Sequence, residues 1–483
     1  MPTTTNLSVT FDGVNDVPRL TGQNPVEWFD EYISYYSVHN STADDILNST
    51  AMLTGSDWTV KVMRFGASFD NLATITDMNG NAGRRIDFLE LGYNSDVDLI
   101  STRVKFINGW DGDEHDIVLG AGNTESITLY AAVNNVTTGS GYVSSIVTGG
   151  EDTIVVGSGS VGTIRTGNGD AVVRIGANYA DYVRTRDGND KVTVGAGWVE
   201  TASTGNGNDT VGLGAGGAGV VRTGNGNDKV NTAAGWVELI STGEGKDVVN
   251  VGAGGAGIVR LSGGDDMARV TPVGPDGGYI INGGGGSDTL DFSKFTAGVT
   301  FTLDGFGVYQ NVTAPGSLGG GDGWFAETGV ENLIGTAKGD RFTGDAAAND
   351  LKGKNGNDRL FGGEGNDRLD GGNNNDRLSG DEGRDVLIGG KGQDVLEGGR
   401  GNDVLRGNSG ADVFVFGANS GTDKVFGYAD DADSIRLVGH TGGFADLTIV
   451  DQGGDLKITH DGGTILLVGD AGLVLTASDF DFV

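Results

Sequence analysis

Residues 362–370 read Gly-Gly-Glu-Gly-Asn-Asp-Arg-Leu-Asp, and the pattern returns at 389–397 as Gly-Gly-Lys-Gly-Gln-Asp-Val-Leu-Glu and at 398–406 as Gly-Gly-Arg-Gly-Asn-Asp-Val-Leu-Arg. Glycine recurs every nine residues, at 335, 344, 353, 362, 371, 380, 389, 398 and 407. Position six of the repeat supplies Asp340, Asp358, Asp367, Asp376, Asp385, Asp394, Asp403 and Asp412; position eight supplies Leu360, Leu369, Leu378, Leu387, Leu396, Leu405 and Phe414. One column offers hard oxygen ligands and the other an apolar core. Calcium takes about six to eight oxygens at roughly 2.3–2.6 Å, and glycine turns let backbone carbonyls crowd in beside one carboxylate per turn. A merely solvated acidic repeat would not need such fixed glycine spacing. The copy at Gly344 departs from the rule, with Asn349 at position six and Asp350 at seven. The copy at Gly371 has Asn374 where glycine is usual, a substitution that asparagine's tolerance of left-handed φ allows.

Working outward toward the N-terminus, a second period of 19 residues runs between about 138 and 270. It is clearest as Thr204-Gly-Asn-Gly-Asn-Asp209, Thr223-Gly-Asn-Gly-Asn-Asp228 and Thr242-Gly-Glu-Gly-Lys-Asp247, with weaker copies from Thr166 and Thr185. Two apolar columns keep the same period: Ile154, Val173, Val192, Val211, Val230, Val249, and Ile164, Val183, Ala202, Val221, Ile240, Val259. Two inward stripes per period mean two short strands per coil. Helices are excluded, because glycine costs up to ~1 kcal/mol at each helical position. Each coil must bury its apolar face on its neighbours, so the expected fold is all-β, a parallel β-solenoid and β-roll. The far side of each coil alternates between Gly195-Ala-Gly-Trp-Val-Glu200 and Gly214-Ala-Gly-Gly-Ala-Gly219, then Ala233-Ala-Gly-Trp-Val-Glu238 and Gly252-Ala-Gly-Gly-Ala-Gly257. Trp198 and Trp236 therefore stand two coils apart, roughly 9.6 Å at ~4.8 Å per strand. Such a pair is a packing device or a docking spot, and packing is the preferred reading.

The nonapeptides resemble the calcium-binding repeats of the RTX family. The likeness extends to Asp288-Thr-Leu-Asp-Phe-Ser, Gly298-Val-Thr-Phe-Thr-Leu and Val330-Glu-Asn-Leu-Ile-Gly-Thr336, similar to the strand-rich lead-in before RTX rolls, and to residues 411–483, similar to their C-terminal caps. The ending Asp479-Phe-Asp-Phe-Val483 resembles the uncleaved C-terminal signal of type I secretion. The 19-residue units resemble the calcium-bound solenoid of bacterial ice-binding adhesins, which implies Asp190, Asp209, Asp228 and Asp247 as further ligands. Their x-Gly-Thr-Gly-Asn-Asp unit has threonine where this chain has Asn168, Asp187, Asn206, Asn225 and Glu244.

Composition narrows the function. The 483 residues include 90 glycines, 6 prolines and no cysteine, with 32 basic against 66 acidic residues and a formal charge of -34. Disulfides, thiolate metal sites and cysteine nucleophiles are excluded. A nucleic-acid surface would need clustered Lys and Arg. No apolar run approaches the ~18 residues of a membrane span, and the start has neither the basic nor the apolar region of a cleaved export signal. Four histidines, His39, His115, His440 and His460, form no His-Glu-x-x-His, and no Gly-x-Ser-x-Gly elbow or phosphate loop occurs. Gly214–Gly219 matches a dinucleotide pattern but recurs 38 residues later inside the solenoid. Asp111, Asp113, Glu114, His115 and Asp116 read as a solvated turn in preference to an ion or glycan site.

Residues 1–100 carry Trp28, Trp58, Tyr32, Tyr35, Tyr36 and Phe29 and few glycine pairs, and are expected to form a small head. Ser41-Thr-Ala-Asp-Asp caps a short helix in this reading, and Trp58-Thr-Val-Lys-Val-Met alternates like a strand. The expected organisation is head 1–100, solenoid 101–270, strand-rich connector 271–334, nonapeptide roll 335–415, and cap with secretion signal 416–483. The resemblance and the absence of a catalytic constellation imply a secreted calcium-binding protein of the cell surface, a surface-layer or matrix subunit. Its partners would be Ca2+, the type I secretion machinery, and copies of itself or cell-surface polysaccharide. A polysaccharide-modifying enzyme and an adhesin or ice-binding protein are the alternatives.

Overall fold

The computed structural model describes residues 114–483 apart from 273–277, 304–309, 312–323 and 431; before 114 it describes strands only, from Ser8–Phe11 to Arg103–Gly109. The expected helix after Ser41 and the aromatic run from Trp28 to Tyr35 lie outside these residues. Among the described residues the fold is all-β. Helical geometry appears only as two three-residue 3-10 turns, Phe444–Asp446 and Ala477–Asp479, and no helix is long and apolar enough to cross a membrane.

Two compact units are present, Met1–Glu244 and Gly245–Val483. In the first, each coil gives one strand to each of two parallel sheets. Lys191–Val194 pairs with Thr210–Leu213, which pairs with Lys229–Thr232; on the other sheet Trp198–Asn206 pairs with Gly217–Asn225, and that with Val237–Glu244. The register is 19 residues throughout this stretch, as the sequence predicts. Both apolar columns point inward with no exposed surface. Alternate residues of these strands face outward, and that alternation is what a half-buried strand requires.

Parallel pairing reaches back past the expected boundary at residue 100. Thr50–Leu53, Ala73–Asp77 and Ser95–Leu99 lead into Glu114–Leu119, while Thr59–Arg64 and Arg85–Leu91 lead into Arg103–Gly109. The described strands between residues 50 and 99 therefore pair in register with those of the later coils. Their apolar alternation is the same, but they lack the Gly-Asp turns that advertise the later coils. Glu114–Leu119 is itself a strand, with His115 fully buried and facing inward, so residues 114–116 are not a solvated turn.

In the second unit the coil shortens to 18 residues, two nonapeptides, one on each sheet. Arg359–Gly365 pairs with Arg377–Gly383, and Arg368–Asn373 with Val386–Lys391. Leu360, Leu369, Leu378, Leu387, Leu396, Leu405 and Phe414 are fully buried. Phe292, Phe295, Phe301 and Phe342 fill the start of the roll, with ring centroids 5.2–6.2 Å from Phe292. At the other end Phe480–Phe482 pairs in parallel with Ser434–Leu437, so the C-terminal residues are docked rather than frayed.

Candidate metal centre

The position-six aspartates stack in register at the turns, almost without exposure: Asp190, Asp209, Asp228 and Asp247 at 0–2%, Asp340, Asp358, Asp367, Asp376, Asp385, Asp394, Asp403 and Asp412 at 0–3%. The turns need positive φ at position two, which glycine supplies at Gly363 (106°) and Gly390 (112°) and which Lys354, Asp381 and Asn408 also adopt, at 83°, 71° and 69°. Asn374 adopts 79° and keeps its turn, as its sequence permits.

One carboxylate oxygen knits successive coils together. The Asp190 N–H donates to Asp209 Oδ1 and the Asp209 N–H to Asp228 Oδ1, both at 2.8 Å. In the roll two interleaved columns run alike: Asp358 to Asp376 to Asp394 to Asp412 at 2.8–2.9 Å, and Asp367 to Asp385 to Asp403 at 2.8–2.9 Å. The second oxygen is different. Oδ2 of Asp190, Asp209, Asp358, Asp367, Asp376, Asp385, Asp394, Asp403 and Asp412 is buried and receives no hydrogen bond. In the 19-residue units the neighbouring threonine does not relieve it, since Thr204 Oγ1 donates its one proton to the Thr223 carbonyl at 3.2 Å.

The surroundings of Oδ2 are further acceptors. A β-carbon on Gly362 would lie 2.3 Å from Asp367 Oδ2 and 2.6 Å from the Gly380 carbonyl oxygen; on Gly380 it would lie 2.3 Å from Asp385 Oδ2 and 2.4 Å from the Gly398 oxygen. A carboxylate of one coil and a carbonyl of the next thus converge on a space that position-one glycine leaves open. Two acceptors facing each other in a buried space call for a cation. No group of three or more acidic or histidine side chains that could hold a metal occurs among the described residues, so backbone carbonyls would complete the coordination.

Burial raises these carboxyls well above the ordinary 3.8. It pushes Asp209, Asp358 and Asp385 to about 7, Asp367 and Asp394 to about 6 and Asp376 to about 8; hydrogen bonds from backbone amides oppose the rise, and nearby aspartates, in the column or beside it, add to it.

Two members of the column depart. Asp340 has both oxygens occupied, by the N–H groups of Val299 (2.6 Å) and Thr336 (2.7 Å) and by the Thr336 hydroxyl, which makes it a hydrogen-bonded cap. Asn349 satisfies itself: Oδ1 accepts from the Asp345 N–H at 2.9 Å and Nδ2 donates to the Glu331 carbonyl at 2.9 Å. Three aspartates escape the sequence reading, Asp266, Asp288 and Asp423, each buried with an unbonded Oδ2 and each joined by Oδ1 to the preceding coil. The coils there are 22 and 20 residues long, so a strict period misses Asp288 and Asp423. Asp266 follows Asp247 by 19 and was within reach of it.

The profile of RTX calcium-binding nonapeptide repeats, four copies long, matches residues 175–198 and overlapping windows 325–360, 343–378, 352–387, 379–414 and 388–423. The chain carries RTX calcium-binding repeats. RTX nonapeptides bind calcium, and the cation that the columns call for is therefore Ca2+. No curated protein matches this RTX chain. Among solved structures it is similar to the AlgE6R3 subunit of the Azotobacter vinelandii mannuronan C5-epimerase, at 21% identity over 30% of this chain and 78% of that one, with a TM-score of 0.18. It is also similar to the extracellular lipase LipA of Serratia marcescens, at 17% identity and a TM-score of 0.15, over 58% of this chain and 40% of the lipase.

Proposed function

We propose that this RTX protein is a secreted structural protein of the cell surface that folds when it meets calcium outside the cell. Asp190, Asp209, Asp228, Asp247, Asp358, Asp367, Asp376, Asp385, Asp394, Asp403 and Asp412 are its carboxylate ligands in this reading, joined by Asp266, Asp288 and Asp423; Asp340 serves as a cap. The observation that carries it is the run of buried carboxylates whose second oxygen faces carbonyls instead of donors. Without a cation such a column is repulsive and poorly solvated. With one, each site adds RT ln(1 + [L]/Kd), and extracellular calcium modules work at Kd of ~10⁻⁴ to 10⁻³ M. Many weak sites stacked in one array then switch together between a low-calcium compartment and a high-calcium one. A surface-layer or matrix role fits a repetitive, acidic, cysteine-free scaffold in which no catalytic constellation is legible. Electron microscopy and light scattering in millimolar calcium and in EDTA test it. Ordered sheets or filaments that form only with calcium support the reading; single particles under both conditions overturn it.

A further inference from the structure

The edge of the first unit opposite the aspartate turns carries aromatic residues in register. Tyr142, Ser160, Tyr179, Trp198, Gly217 and Trp236 hold one position of successive coils, because the residues after them pair as Val143 with Val161, Val161 with Ala180, Ala180 with Val199 and Ala218 with Val237, and Trp198 pairs with Gly217. Backbone bonds fix the column: the N–H groups of Val143, Val161 and Ala218 donate to the carbonyls of Ser160, Tyr179 and Trp236, each at 3.0 Å. Tyr142, Tyr179 and Trp236 are 44, 41 and 40% exposed, and Trp198 is half-buried. The two tryptophans differ: Trp198 is half-buried against Glu200, as a packing role requires, while Trp236 offers part of its ring to solvent.

Two of the rings, those of Tyr142 and Trp198, are held in place before any partner arrives. A β-carbon on Gly162 would lie 3.0 Å from the Tyr142 hydroxyl, so that phenol rests along the edge over the next coil. Trp198 Nε1 donates to Glu200 Oε2 at 3.1 Å. Ser160 and Gly217 leave gaps, so Tyr142 and Tyr179, and again Trp198 and Trp236, stand two coils or roughly 9.6 Å apart. Beyond Tyr142 a cavity of about 350 Å³ continues the edge, lined by Arg103, Lys105, Asn123, Glu125 and Ser144.

We propose that this edge binds a linear, neutral, β-1,4-linked polysaccharide, with sugar rings stacked on Tyr142, Tyr179, Trp198 and Trp236. A pyranose presents an apolar C–H face to an aromatic ring and hydroxyls at its rim, and amphipathic aromatics with a polar tip suit such a contact. Asp181 and Glu200 flank the rings as acceptors for those hydroxyls. The same carboxylates, on a chain of formal charge -34, repel a polyanion. A second protein surface laid flat on the row would bury them without partners, at a desolvation cost that hydroxyls avoid. Within each pair the two-coil spacing matches the disaccharide repeat of an extended β-1,4 chain; Tyr179 and Trp198 lie on adjacent coils, roughly 4.8 Å apart, so the two pairs meet sugars that show opposite faces. This assigns the glycan partner of the surface reading, and it rests on that reading only for where the glycan comes from.

The test is titration of the full-length protein in millimolar calcium with cellohexaose and chitohexaose, followed by tryptophan fluorescence, with maltohexaose and an alginate hexamer as controls. The expected result is saturable binding of at least one β-1,4 hexamer. Trp236→Ala and Tyr179→Ala should each weaken it about tenfold with an unchanged circular dichroism spectrum, and Trp236→Phe should stay within about threefold of the parent. Binding confined to the control sugars, no binding by the folded protein, or full affinity in both alanine variants overturns the proposal. Glycan binding without sheets or filaments defeats the assembly reading alone; sheets without glycan binding defeat this one alone.

Discussion

Asp385 shows what a single residue contributes. Its Oδ1 takes the Asp367 N–H at 2.8 Å, while Oδ2 sits opposite the Gly398 carbonyl with no proton between them. Asn349, four nonapeptides earlier, carries no charge: its Oδ1 lies on the side of the Gly362 carbonyl but accepts the Asp345 N–H at 2.9 Å, and its Nδ2 donates to the Glu331 carbonyl of the preceding coil. Asp385→Asn should therefore stabilise the cation-free protein, by about 1 kcal/mol or more, because it removes an unsatisfied buried charge. The same variant should lose part of the stabilisation that calcium confers. Thermal melts in EDTA and in calcium would show the two opposite signs; equal shifts of one sign would remove Asp385 from the ligand set. Gly362→Ala tests the space itself. A β-carbon 2.3 Å from Asp367 Oδ2 must displace either the carboxylate or the coil. A loss of about 1–3 kcal/mol is expected, together with a raised calcium midpoint in a circular dichroism titration.

At the scale of the element, carboxyls of one column respond to pH together. The folded, cation-free columns bind protons more tightly than the unfolded chain, whose carboxyls stay near 3.8. The stability those protons confer is complete below about pH 4. It is lost as pH rises through the folded values of about 6 to 8 for Asp367, Asp358 and Asp376. Chelated protein should thus melt lower at pH 8 than at pH 5, and calcium should flatten or reverse that slope; a chelated melt that rises with pH would contradict the burial of the columns. The apolar column makes a separate claim. Leu378 is fully buried between coils, and Leu378→Ala should cost about 2–5 kcal/mol in denaturant unfolding, with or without calcium. These columns were legible because register and period coincide: Val192, Val211 and Val230 lie 19 apart in sequence and in space. What stayed hidden lacked a period. Asp288 and Asp423 sit on coils lengthened to 22 and 20 residues, and the strands Thr59–Arg64 and Arg85–Leu91 pair in parallel without the glycine signals of the later coils. The sealing of Asp340 by Val299, 41 residues away, is a tertiary contact that no local pattern encodes.

For the whole molecule, calcium removal is the decisive perturbation. With 66 acidic residues against 32 basic ones, chelation should expand the chain, read as loss of β-sheet signal and a larger hydrodynamic radius, and readdition should restore both. One nonapeptide makes half a coil, and this turns length into a question of parity. Arg341, Arg359 and Arg377 align on one sheet because they are 18 apart, while Val386 and Val404 align on the other. Deleting or duplicating nine residues would rotate everything downstream by half a coil and exchange the two faces. Eighteen would leave both faces as they were. A lineage that lengthens such a roll while keeping a surface in use can therefore add repeats only in pairs, and an odd count between two relatives would mark a face that nothing was reading.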